Sequence, residues 1–491
     1  MKYWALLLCI PTAVLIGQGW IGERRVSEGD PFYSVSPRLA VDSSGHPWVV
    51  WHGYWPGFSL MHTKWLGDRW DDVRAAIPDT EPGLRGRYGP SLCFDQQGQA
   101  WAAWQDAYAN NRHDVSSSNW IDTCWGSPVR INRDTIDANS GANIGSGGGE
   151  IWCAWDGWRG RGINAYPYAV DASRWDGSAQ RWVPVARIAP PDSSIFYWWN
   201  DMVVDTRGRP HVVWSAVPLY CVLYSFYDGD SWSQPVPVND TAITMASWMA
   251  ASHIVVDRTG MMHLSFTGAT AGALHRDIFY SRNDGTGWSP PVRVTQDSAV
   301  NYDEWYSDVA ADRPDNVWVT WDRQGEGSDQ FRVYASHYDG NQWSPEVRLD
   351  GDSAHDDGVP AVCVGLDGLP WVAWSGEPYA SGVWEIYYNR YVSVGVSDDN
   401  RPGVPALGLV ERATTHPGSD LEVTLCLAVP AHVHVDVFDQ TGRRCAVVYD
   451  GTALDNRQVV RWHCSVPKGT YFCRVAAGGR AETRKFVVTG P

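Results

Sequence analysis

The side chains with the greatest chemical potential crowd into short stretches, notably Tyr302-Asp303-Glu304-Trp305-Tyr306, Asp322-Arg323 and His355-Asp356-Asp357. Paired carboxylates at one mouth could divide acid and base, or acid and nucleophile, roles, so Asp303, Glu304 and Asp322, with Tyr302 or Tyr306, are the catalytic candidates. Neighbours on a strand point to opposite faces, and Asp303 and Glu304 therefore cannot both serve one site. An elimination reaction would instead recruit His355 or Tyr88 as base. Asp350, Asp352, Asp356 and Asp357 could hold Ca²⁺, but their spacing is not that of an EF-hand loop and a solvated acidic turn accounts for them. Zinc-ligand spacing, a phosphate loop and a nucleophile elbow are all missing, so no metal and no organic cofactor is expected.

Tryptophan is the other conspicuous resource, with 30 in the chain. Most recur at fixed repeat positions, where packing explains them. Trp55, Trp158, Trp198, Trp199, Trp248, Trp305 and Trp384 do not, and each falls just before an inner strand begins or just after its partner ends. Polar groups such as Tyr88, Asp106, Asp156, Arg159, Asp201, Arg323 and His355 occupy the same connections. Aromatic faces stack on sugar rings while charged groups bond their hydroxyls, so Tyr88, Trp158, Arg159, Trp198, Trp248, Trp305, Arg323 and His355 form the expected ligand-binding rim. A competing reading makes these loops merely solvated and their aromatics blade packing.

The elements that must position these residues follow from an internal repeat. An apolar run, an Asp-x-x-Gly turn and a Trp-x-x-Trp strand recur, and each unit closes on an aromatic: Trp51, Trp104, Trp155, Trp214, Phe266, Trp321 and Trp374. A second hairpin follows, clearest at 277–294. Four antiparallel strands per unit can bury their faces only by stacking radially, which predicts an all-β, seven-bladed β-propeller over residues 20–396. His211 and His263 replace the first Trp of the pair and read as satisfied core histidines. The last unit lacks its fourth strand, and residues 19–26 match the missing piece in the spacing of Trp, Arg and Val. That N-terminal strand is expected to close the ring, with Trp20 beside Ile386.

Beyond a linker at 397–415, residues 416–491 show alternating strands. The phrases Val437-Phe438-Asp439-x-x-Gly442-Arg443, Val460-x-Trp462 and Gly469-x-Tyr471-Phe472-x-Arg474-Val475 resemble the immunoglobulin-type domain of flagellar hook-capping proteins and type IX secretion sorting domains. That resemblance implies a β-sandwich that delivers the chain to outer-membrane export machinery; a plain spacer sandwich is the alternative. The inner hairpins likewise resemble degenerate Asp-box repeats of the sialidase family, with Asp42, Gly45 and Trp48 in place but the leading Ser missing. An Arg-Ile-Pro element near the start, and the six blades of that family, are not found.

Residues 1–19 read as an export signal, with Lys2, an apolar run over 3–16 and small residues Gly17 and Gly19. A secreted or cell-surface location follows. With 39 Lys+Arg against 56 Asp+Glu and a formal charge of −17, a nucleic-acid partner is excluded as an expectation. Cys93, Cys153 and Cys363 read as buried thiols, whereas Cys426, Cys445, Cys464 and Cys473 could form one or two bridges. The leading expectation is thus an exported, monomeric propeller binding an extracellular glycan. A glycan-cleaving enzyme on the same face, either a glycoside hydrolase or a polysaccharide lyase, and a platform for a protein ligand are the alternatives.

Overall fold

The computed structural model describes residues 16–489 outside a set of short stretches, the longest being 27–32, 133–137, 160–165, 190–194, 245–251, 297–301 and 396–413. The export signal to residue 15, Trp248 and most of the linker therefore lie outside the described residues. Every regular element among those described is a strand, and the chain divides into two compact units, one spanning Trp20–Tyr391 and the other containing Val392–Pro491.

In the larger unit, antiparallel sheets follow one another along the chain. The first is built on Ser34–Val41, Pro47–Tyr54 and Phe58–Lys64, and the second on Leu84–Phe94, Ala100–Tyr108 and His113–Ile121. A parallel bridge from Phe58 to Gly86 joins these two. Later sheets have inner strands Ala138–Gly147, Phe196–Val204, Ser252–Val256, Asp303–Arg313 and His355–Val364, each paired to the strand that follows.

Four of the inner turns are fixed by an Asp, namely Asp42, Asp95, Asp205 and Asp257. The Asp42 carboxylate accepts the N–H groups of Ser44 and His46 and, 3.1 Å away, the Trp48 indole N–H; Asp95 does the same with Gln97, Gln99 and Trp101. Where Trp gives way to histidine, the lock survives. His263 brings Nε2 to 3.1 Å from Asp257 and Nδ1 to 2.7 Å from the Tyr280 hydroxyl, and His211 sits likewise between Asp205 and Tyr224. These are core histidines with both nitrogens engaged.

The core lies between sheets. Trp48, Val50 and Leu60 of the first pack on Leu92, Ala102 and Trp104 of the second. Similar clusters join each sheet to the next, and the last returns to the first through Trp371, Ala373 and Ile386 against Val49, Trp51 and Trp65. Stacked sheets that close on themselves in this way make the unit a β-propeller.

The N-terminal segment completes the last sheet, with Arg24–Arg25 pairing antiparallel to Tyr387 and Tyr388. Its register corrects the sequence expectation. Ile386 accepts from the Val26 N–H at 2.7 Å, and Arg390 accepts from Ile21, so Trp20 stands at the far end, packed edge-on against Tyr391 and Trp318. The same holds where the chain is continuous: Val294 donates to Ile278 while Trp288 bridges Asn283. In an antiparallel pair the first residue of one strand faces the last of the other.

In the second unit, Ala431–Asp439 lies between Arg444–Ala453 and Gly469–Ala477 in a five-stranded sheet, and Asp420–Leu427 pairs with Asn456–His463. Val433, Val435 and Val437 of the first sheet share a core with Val460 of the second. Cys445, Cys464 and Cys473 are free thiols here, as are Cys93, Cys153 and Cys363.

Val26 is 3% exposed within the closing cluster. Truncating it to Ala should cost about 2 kcal/mol, and deleting 20–26 should lower the melting temperature far more; a deletion variant that melts like the parent would show that the strand closes nothing.

Candidate functional site

Near the start of the inner strands, six sheets interrupt their ladders at equivalent places. Two residues intrude between Val35 and Arg38, Tyr88 and Ser91, Ser140 and Asn143, Trp198 and Asp201, Trp305 and Asp308, and Gly358 and Ala361. In every case the register sets them opposite the closing Trp of the next strand. Such bulges bend a strand and re-aim its side chains. Five of the first bulge residues are left-handed: Ser36, Gly89, Gly141, Trp199 and Val359, with φ between 52° and 62°. For a β-branched valine this is a true outlier, and strain of this kind persists only where the surroundings enforce it.

Acceptors on the adjacent sheet do the enforcing. Asp322 Oδ2 takes the Val359 N–H at 2.8 Å, and Ser375 Oγ takes that of Ser36 at 2.9 Å. Asp156 accepts from the backbone of Trp199 and Asn200 and, at 2.8 Å, from the Asn200 side chain. All three acceptors directly follow a closing Trp. Gly141 packs so tightly here that a Cβ would fall 2.9 Å from Asp156 Oδ2.

The bulges surround a cavity of about 360 Å³ lined by residues of every sheet in the larger unit, a volume in the range of small-molecule sites. Tyr88, Trp198, Trp199 and Tyr306 supply its aromatic surface, with Trp199 edge-on to Tyr306 at 5.7 Å. Arg38, Gln105, Asn143, Asp156 and His253 supply polar groups. His253 Nδ1 lies 3.4 Å from Asp201 and 3.6 Å from Asp308. Those two carboxyl groups also accept the Ile254 and Val362 N–H groups at 2.9 Å, which fixes their positions on either side of the imidazole.

Of the residues singled out from sequence, the cavity thus gathers Tyr88, Asp156, Trp198, Trp199 and Tyr306, and it adds Arg38 and His253. Others stand elsewhere. Arg323 is buried, with Nε 2.7 Å from Glu304 and Nη2 2.7 Å from Glu346, and stacked over Tyr334. Glu304 and Arg323 are direct cross-strand partners, so their side chains share one face of the pleat and meet. Asp303 pairs with Arg276, whose guanidinium covers the Trp305 ring at 3.7 Å. Asp322 is 2% exposed and committed to the Val359 N–H. Trp158, Arg159 and His355 have described backbones, but their side chains fall outside the described residues. Asp352 lies outside the described residues; Asp350 takes Arg348 and the Val333 N–H, Asp356 the Phe331 N–H and Asp357 the Trp374 indole, and Asp350 and Asp357 are buried rather than solvated as expected.

Burial dominates the titration of these carboxyls. It pushes Asp156 and Asp357 up to about 8 and Asp322 to about 7, against the hydrogen bonds that favour their ionised forms. Burial also raises Glu304 to about 8; Arg323 opposes the shift, while Glu346 across the same guanidinium adds to it. In the turns the sign reverses: hydrogen bonds from neighbouring groups hold Asp205 and Asp257 below the usual carboxylate range.

No family model matches the sequence, and no curated protein matches it. Among solved structures, a protein of unknown function from Dyadobacter fermentans is 10% identical, with a TM-score of 0.48, over 76% of this chain and 99% of that one. The polysaccharide lyase Uly1 is 9% identical with a TM-score of 0.46, covering 73% and 89%. The NanB sialidase of Streptococcus pneumoniae is 11% identical with a TM-score of 0.40, covering 78% and 70%.

Two outcomes are expected. A carboxyl raised by folding keeps a proton that the unfolded chain releases above pH ~4, so stability should fall as pH rises from about 4 to about 8; urea titrations of Asp156→Asn should show a shallower fall than the parent, and an identical slope would remove Asp156 from the account. Val359→Gly, which relieves the left-handed strain, should stay within about 1 kcal/mol of the parent or exceed it. Val372→Gly, at a fully buried position, should lose about 3 kcal/mol or more.

Proposed function

We propose that the chain is an exported, surface-associated protein: a seven-bladed β-propeller over 20–396, closed by its N-terminal strand, followed by an immunoglobulin-like sandwich over 416–491. Its function is to bind carbohydrate in the cavity at the propeller axis. The cyclic order of the interblade clusters and the blade-equivalent bulges support the ring. Aromatic platforms beside Arg38, Gln105 and Asn143 suit a ligand with flat apolar faces and many hydroxyls.

One observation carries binding over hydrolysis. Asp156 is the single carboxylate among the described residues lining the cavity, and protein donors already occupy it. Glycoside hydrolysis of the usual kind needs two, flanking the scissile bond. A second reading, β-elimination by a polysaccharide lyase, draws on His253, a positioned imidazole facing the cavity beside Tyr306.

A glycan array followed by calorimetry on the best hit tests the proposal. Trp198→Ala and Trp199→Gly, the latter matched to its left-handed backbone, should each weaken binding tenfold or more. Affinity unchanged in both variants, or an empty array, would refute the cavity as a glycan site. Unsaturated product absorbing near 235 nm, lost in His253→Ala, would replace binding with elimination.

A further inference from the structure

On Ala431–Asp439 of the C-terminal unit, side chains alternate strictly. Val433, Val435 and Val437 are fully buried, while His432 and His434 point outward on the same face, as the two-residue period of a strand requires. The neighbouring strand Arg444–Ala453 sets Asp450 directly opposite His434 and Thr452 opposite His432. Both imidazoles therefore converge on one carboxylate. Asp450 Oδ1 is 3.1 Å from His434 Nδ1 and 3.5 Å from His432 Nε2, and the rings lie 4.9 Å apart.

We propose that His432, His434 and Asp450 form a binding site for a divalent transition-metal ion such as Zn²⁺, Ni²⁺ or Cu²⁺. Their three donor atoms all lie within 4.8 Å of one another. Donors at about 2.0–2.2 Å from one ion are at most about 4.4 Å apart, so small side-chain rotations close the set. Two imidazoles and one carboxylate select these ions over Ca²⁺ and Mg²⁺, which prefer all-oxygen cages. No Lys or Arg among the described residues forms an ion pair with Asp450; Arg444 pairs instead with Asp436 and Arg443 with Asp439. All three ligands are about half exposed, leaving room for water or a donor from another molecule to complete the coordination. Bound metal would clamp one strand of the hairpin to the other, since the ligands come from both. The site is independent of the axial cavity.

The test uses the full chain without an affinity tag, dialysed against chelator and titrated with ZnCl₂ by calorimetry. The parent should bind one more equivalent than the double variant His432→Ala/His434→Ala, and Asp450→Asn should weaken that equivalent tenfold or more. With Cu²⁺, electron paramagnetic resonance should show two coupled imidazole nitrogens in the parent and neither in the double variant. Because the three side chains are exposed, the variants should keep the parent's circular dichroism. Equal stoichiometry in parent and double variant, or unchanged affinity in Asp450→Asn, would overturn the three-ligand site.

Discussion

Six inner strands face a buried indole and break their ladders opposite it, whereas Ser252–Val256, which faces Phe266, runs in regular register. The resulting bulge is the constraint from which the site follows. It spends two residues opposite one closing Trp, turns the first of them left-handed in five of the six sheets, and at Ser36, Trp199 and Val359 points a backbone N–H at the adjacent sheet. Where the ladder partner is lost, a group on the neighbouring sheet can accept that N–H instead. Asp322 and Ser375 fill that role at equivalent positions, and Asp156 does so on the cavity wall. Carboxyls that look catalytic in the sequence are, at Asp322, structural acceptors whose burial raises their proton affinity.

A second recurring interaction shows how much the repeat tolerates. Any ring that presents an N–H six residues after the turn Asp can complete the lock, which is why Trp48, Trp101, His211 and His263 are interchangeable. The histidines require one more partner, because a second nitrogen is buried with the first. Tyr224 and Tyr280 supply it. Substitution at a packing position is thus accompanied by a compensating change on the next strand.

The strands were legible because turn chemistry and closing aromatics are local signals with a constant period. Side-chain traffic between sheets was not. Arg323 and Glu304 stand nineteen residues apart and look available until Glu346 arrives from the fourth strand and closes the pair. His253 escaped notice although its signal is present. Arg38, Ser91, Asp201, His253, Asp308 and Ala361 each stand thirteen residues before their closing aromatic, and Asn143 stands twelve before Trp155. Aligning the units on their aromatics assembles the axial ring; reading the loops for unusual residues does not.

That ring also explains where such an architecture can carry specificity. Between sheets, every unit solves the same packing problem, and the chain answers with nearly the same residues: Val or Ala flanking a buried aromatic. At the axis the side chains vary, and the equivalent positions hold Arg, Ser, Asn, Asp, His, Asp and Ala, of which Ser91, Asp201 and Asp308 accept a backbone N–H from the next sheet. The distribution is lopsided, with Arg38 in the first sheet and an Asp201–His253–Asp308 relay across three consecutive later ones. Arg38 on one wall and the carboxyl-flanked His253 on another make the cavity's polar lining uneven in a way that a symmetric ring could not. Under the proposed glycan-binding function, a ligand entering it would be oriented about the axis by these side chains as well as held on it, and they, rather than the fold that surrounds them, would distinguish one occupant from another.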